Sequence, residues 1–120
     1  MGTKEGVKYD SGKPTVGEMI KDFGPAIREV ARVWKFGADK YEKSNWQKLE
    51  DAENRYTNAL VRHLLAEEEN MFDDESHLLH ASHVAWNALA RLWFILRKKA
   101  WPKNEDHGTI RAEKDLNNLL

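Results

Sequence analysis

The stretch from Ser76 to Lys99 constrains this chain most, because it reads as one long helix that is apolar on two sides. At about 100° per residue, Ala81, Val84, Ala85, Ala88, Leu89, Leu92, Ile95 and Leu96 share one wide arc, and Ser82, Trp86 and Trp93 share a second. Between them runs a narrow band of Ser76, His80, His83, Asn87 and Arg91, at spacings of 4, 3, 4 and 4. A helix apolar on two sides is expected to be covered on both, by its own bundle and by a second subunit. Its polar band is then at least partly desolvated, and such groups need partners.

The rest of the chain is punctuated for helices. Pro14, Pro25 and Pro102 are its only prolines. Residues 1–14 lack an apolar period and read as an extended arm, followed by a short helical turn near Val16–Phe23. Pro25 suits a first helical turn, and apolar positions at helical spacing run from Ala26 to about Tyr41. Lys43 to Gln47 is a loop. Asp51 is placed to cap a helix reaching about Glu69, and Asn70 to Glu75 is a turn. Beyond Trp101-Pro102 the chain is polar, and Ile110–Leu120 can form a peripheral helix. With no alternating strand pattern and no hairpin signal, the fold class is all-α: a bundle of about four helices over residues 15–100, behind an extended arm and before a tail at 101–120.

Composition narrows the function classes. At 120 residues one domain is expected. A formal charge of -1, from 19 basic and 20 acidic residues, argues against the broad cationic face that duplex nucleic acid requires. The absence of cysteine rules out disulfide scaffolds, thiolate zinc sites and cysteine nucleophiles. No apolar run approaches the roughly 20 residues of a membrane span, and no hydrophobic signal region opens the chain. A cytoplasmic protein is expected.

The preceding helix offers a band that matches the first. Tyr56, His63, Glu67 and Asn70 lie 7, 4 and 3 apart on one face. Antiparallel helices joined by a short turn pack side by side, which brings His63 and Glu67 near His80, His83 and Asn87. Imidazole, carboxylate and amide groups together are a common environment for a divalent metal. Asp73, Asp74 and Glu75 stand at the end of the bundle, where they can give oxygen ligands to a hard cation such as Mg²⁺. The plainer alternative is that these histidines are hydrogen-bonded core or capping residues. His77 and His107 lie off the bands and read as structural or surface groups.

Two other segments combine charge with special residues. Lys8-Tyr9-Asp10-Ser11-Gly12-Lys13-Pro14 lacks the spacing of a Walker loop, yet two lysines around a Ser-Gly turn can hold phosphate oxygens; a flexible basic terminus explains them as well. Lys35 to Tyr41, followed by Asn45-Trp46, sets cations beside aromatics. Trp46 can stack on a base and Asn45 read its edge, or Trp46 can simply close the core.

In order and spacing, several motifs together resemble one family. They are Lys8-x-Asp10-x-Gly12-Lys13-Pro14; Glu29-Val30-Ala31; Phe36-Gly37-Ala38-x-Lys40-Tyr41 with Asn45-Trp46; Arg62-His63-Leu64-Leu65; Asp73-x-Glu75-Ser76; and His80-x-x-His83. The chain resembles the phage and bacterial dATP/dGTP diphosphohydrolases, a branch of the MazG-like all-α nucleoside triphosphate pyrophosphohydrolases. The resemblance implies Mg²⁺-dependent (or Mn²⁺-dependent) hydrolysis of a deoxynucleoside triphosphate to monophosphate and pyrophosphate, by a homo-oligomer in the cytoplasm (the host's, if phage-encoded). It implies Glu67, Asp73 and Glu75 as metal ligands, with His63, His80 and His83 as further ligands or groups behind them, and His63, Glu67 and His83 in catalysis. Lys8, Lys13 and Lys40 would meet the triphosphate and Asn45 with Trp46 the base or sugar, with Asp10 and Asn87 also among the substrate-binding residues. The chain departs from the pattern where the wider group carries carboxylates, as ExxE and ExxD: its helices hold His63-xxx-Glu67 and His80-xx-His83-xxx-Asn87. His77 also stands where the pattern usually has glycine, and the glycine usual near Asn70 is missing.

Two other readings compete. A non-catalytic helical interaction module would account for five tryptophans as interface residues, but gives no reason for two aligned polar bands. A metal phosphohydrolase of the His/Asp type is the other, and no adjacent His-Asp pair on the long helices supports it.

Overall fold

A computed structural model describes residues 6–7 and 11–98. Its elements are α1 (Val16–Asp22), α2 (Gly24–Lys40), a 3₁₀ turn at Asn45–Lys48, α3 (Ala52–Glu67) and α4 (His80–Lys98). The all-α class is as expected: among the described residues the only strand-like pairing is one bridge between Phe72 and Leu79. Lys8, Asp10 and the helix expected near Ile110–Leu120 lie outside the described residues.

α1 and α2 are separated by a single residue, Phe23. The break follows from Pro25, which has no N–H to continue the helical ladder yet fits a first turn. α2 ends at Tyr41, whose N–H bonds to the Gly37 carbonyl at 2.9 Å. The chain then turns through Ser44, with φ at 72°.

Asp51 precedes α3 as expected but does not cap it. Its backbone is left-handed, at φ 52°, and its side chain makes no bond to the helix backbone. A capping side chain reaches its N–H groups from extended backbone. Here Asp51 Oδ1 instead accepts from Asn54 Nδ2 at 3.0 Å. At the other end α3 stops at Glu67 rather than near Glu69, where Glu68 and Glu69 bond back three residues to Leu65 and Ala66.

The last helix also starts later than the periodicity suggests, at His80 rather than Ser76. The preceding segment is held in a closed loop. Asp73 N–H donates to Leu78 O (2.8 Å), His77 N–H to Asp73 O (2.9 Å) and His80 N–H to Met71 O (3.0 Å). These bonds satisfy backbone groups locally and compete with the helical ladder. His77 takes φ 63° in this loop, a conformation that favours glycine.

α3 and α4 pack antiparallel, with the register read from three cross-helix pairs: His63 with His80, Thr57 with Arg91, and Glu53 with Lys98. Ala52, Tyr56 and Ala90 form the buried core, covered by Trp46, Leu49, Trp86 and Phe94. Trp46 meets Trp86, Trp93 and Phe94 edge-on, with centroids 4.9 to 6.3 Å apart, and its carbonyl accepts the Tyr56 hydroxyl. Geometry of this kind adds to simple area burial. α2 crosses the pair, with Val33 buried and the Phe36 ring edge-on to His83.

Within one chain, α4 turns its polar band inward. His80, His83 and Asn87 are buried, whereas Ala81, Ala85 and Ala88 are exposed and Leu89 and Leu92 remain 56% and 48% exposed.

Candidate metal centre

The antiparallel register sets His63, four residues before the end of α3, against His80, the first residue of α4. Their Nδ1 atoms approach to 2.8 Å. The loop between the helices folds Asp73 onto the same place. One ligand atom each from His63, Asp73 and His80 lies within 4.8 Å of the others. A divalent cation needs such convergence, and two imidazoles with one carboxylate form a familiar donor set with room for further ligands.

His83 lies one helical turn after His80 and stacks on His63, with rings 4.3 Å apart and tilted by 8°. Its Nε2 is 2.7 Å from Ser76 Oγ and 3.8 Å from Asp73 Oδ2. Ser76 ties the cluster together: its N–H donates to Asp73 Oδ2 at 2.8 Å, and its hydroxyl accepts the Leu78 N–H at 3.2 Å. A serine-protease-like relay is not formed, because serine and carboxylate approach the same imidazole nitrogen rather than opposite ones.

Burial sets the electrostatics. It pushes the His63 imidazole from 6.5 to about 4, helped by the neighbouring His83 and opposed by Asp73. Burial lowers His83 as well, against the pull of Asp73. For Asp73 burial works upward, but the bonds from Ser76 outweigh it, with His83 and His63 adding to them, and the carboxyl falls below its usual value. Neutral imidazoles beside an ionised carboxylate are the protonation states that bind a metal.

The other candidates are placed differently. Glu67 is exposed at the last residue of α3 and outside the converging group. Glu75 is exposed and ion-paired to Lys40 Nζ, a hydrogen bond that raises the lysine's pKa. Asn87 is buried, and its Nδ2 donates to the His83 carbonyl at 2.7 Å, so the amide braces α4. Asn45 and Lys13 are exposed, and Trp46 is engaged in the aromatic core. Ser76 was visible in the polar band, but its role in the cluster follows from the Asp73-x-x-Ser76 turn, a spacing that suits a side chain accepting from backbone N–H. The Phe36 contact with His83 has no local signal. A hollow of about 350 Å³ lined by Leu49, Ala52, Phe94 and Arg97 sits roughly three turns of α3 away from His63 and shares no residue with the cluster.

A family model described as "dATP/dGTP diphosphohydrolase, N-terminal" matches residues 3–104. The chain belongs to this family. A relative from Salmonella phage PMBT28, named dATP/dGTP diphosphohydrolase, is 37% identical over 91 residues, covering 75% of this chain. The chain spans 30% of that relative's length. No solved structure matches. The dATP/dGTP diphosphohydrolase match includes every member of the His63–Asp73–His80 cluster together with Ser76 and His83.

Proposed function

We propose that this chain carries a metal-dependent hydrolytic centre that cleaves dATP or dGTP to the monophosphate and pyrophosphate. The observation that supports this best is the convergence of His63, Asp73 and His80 on one point, in a chain of a diphosphohydrolase family. His63, Asp73 and His80 would hold a divalent cation, Mg²⁺ or Mn²⁺ by the family resemblance, which would supply charge neutralisation at the phosphates and a more acidic water. In the reaction the water oxygen bonds to the α-phosphorus, and the α–β bridging oxygen leaves with pyrophosphate. His83, kept neutral by burial beside the three ligands, accepts the water's proton. Phe36 and the stacked His63 hold its ring in place.

Lys40, with Lys8 and Lys13 of the arm, is assigned to the β- and γ-phosphates. Glu75 holds the Lys40 ammonium at the edge of the Asp73 loop. Asn45 is assigned to the base, on a turn anchored by Trp46. No described helix is long and apolar enough to cross a membrane, and we place the enzyme in the cytoplasm, with its substrates. The exposed apolar arc of α4 supports a homo-oligomer.

The test is incubation of purified protein with each dNTP and Mg²⁺ or Mn²⁺, with products separated by ion exchange. Monophosphate plus pyrophosphate, abolished by EDTA and by His63→Ala, is the expected result. A folded protein that turns over no dNTP would overturn the reading and leave a helical interaction module in its place.

A further inference from the structure

Of the two cations that the family resemblance implies, the donor set of the cluster suits Mg²⁺ poorly. Mg²⁺ asks for octahedral oxygen ligands and gives up its waters reluctantly, so its protein sites are built from carboxylates. Six acidic residues lie between His63 and His80, and only Asp73 joins the cluster. Glu67, Glu68, Glu69 and Asp74 are exposed, and Glu75 is held by Lys40. The other two donors are imidazole nitrogens of His63 and His80, two rings whose Nδ1 atoms are already 2.8 Å apart across two helices.

We infer that His63, His80 and Asp73 form a site for a borderline transition cation of the Mn²⁺-to-Zn²⁺ class, and that the two imidazoles select it over Mg²⁺. Imidazole is a poor ligand for hard ions and a good one for the later first-row metals. The carboxylate is already oriented, since the Ser76 N–H donates to Asp73 Oδ2 at 2.8 Å. Hydrogen bonding of this kind fixes a ligand's direction and contributes to metal affinity. Ser76 is thus a positioning residue for the cation. The inference rests on the cluster being a metal centre, as proposed above, but not on its hydrolysing nucleotides.

The test uses the whole chain, freed of metal with EDTA and dialysed, then titrated calorimetrically with Mg²⁺, Mn²⁺, Co²⁺ and Zn²⁺ without nucleotide. Affinity is expected to rise from Mn²⁺ through Co²⁺ to Zn²⁺, with Mn²⁺ at least about tenfold and Zn²⁺ more than about a hundredfold tighter than Mg²⁺. The visible spectrum of the Co²⁺ form should show nitrogen ligation. His63→Gln should lower Co²⁺ affinity at least about tenfold, while Glu67→Gln and Glu75→Gln leave it unchanged, with circular dichroism checking the fold of each variant. Equal affinity for Mg²⁺ and Mn²⁺, binding that depends on Glu67 or Glu75, or no cation bound at all would overturn the inference. The selectivity of the unmodified protein decides the matter even where a variant misfolds. Tight, selective binding without dNTP turnover would uphold this inference and defeat the hydrolytic reading.

Discussion

At the scale of single residues, His63 ties stability to pH. Its native value of about 4 lies below the ordinary 6.5, so between these limits the unfolded chain binds more protons than the folded one. Stability is therefore complete above pH 6.5 and is lost as pH falls toward 4. His83 acts in the same direction. Asp73, lowered in turn, adds a further loss only below its ordinary value of 3.8. In metal-free buffer the urea midpoint should decline between pH 6.5 and 4, and His63→Phe should flatten that limb; an unchanged slope would contradict the assignment. The histidines were readable because helical spacing alone puts His80, His83 and Asn87 in one band. Glu67 was not, since its angle matches His63 but the helix ends beneath it, leaving the carboxylate in water.

At the scale of elements, the loop between α3 and α4 contains a local conflict. His77 is exposed and left-handed, at φ 63°, where a β-carbon costs about 1 kcal/mol or more. His77→Gly should stabilise the protein by about 0.5–1 kcal/mol, the strain relief exceeding the entropy a glycine adds to the unfolded chain. A lower denaturation midpoint would show that the imidazole makes contacts worth more than the strain. The helical period of α3 and α4 was legible, whereas the closed loop of residues 71–80 was not. Its bonds pair residues such as Met71 with His80 and Asp73 with Leu78, and periodicity carries no information about such closures. Trp46 shows the same limit: its neighbours in sequence allow a nucleotide platform or a residue closing the core, and the packing of Trp86, Trp93 and Phe94 decides for the core.

At the scale of the whole molecule, α4 packs Ala90, Trp86 and Phe94 against α3 but leaves another apolar arc bare. Its polar band faces α3 while Ala81, Ala85, Ala88, Leu89 and Leu92 face water, and α3 adds exposed Val61, Leu64 and Leu65. Large apolar side chains left bare along a helix point to an association face, and a stripe at helical spacing suits a second copy of the same helix. Light scattering after gel filtration should find a dimer or larger, and Leu89→Lys with Leu92→Lys should yield a folded monomer. A monomeric parent protein would rule this out. Sequence alone shows which residues share a face, but not which face turns inward. That distinction separates the legible pattern of α4 from its observed orientation. The proposed metal centre draws only on residues between His63 and His83, across one connection of residues 68–79. Closing so short a loop costs little chain entropy, and contacts near in sequence form fast. The site should therefore be assembled early in refolding, ahead of the docking of the Asn45–Lys48 turn on α4: Co²⁺ colour should appear before the tryptophan fluorescence settles, and the reverse order would mean that capture waits for the finished fold. A cation present during folding would then act as a nucleus, helping to choose the hairpin before the remainder of the chain commits to it.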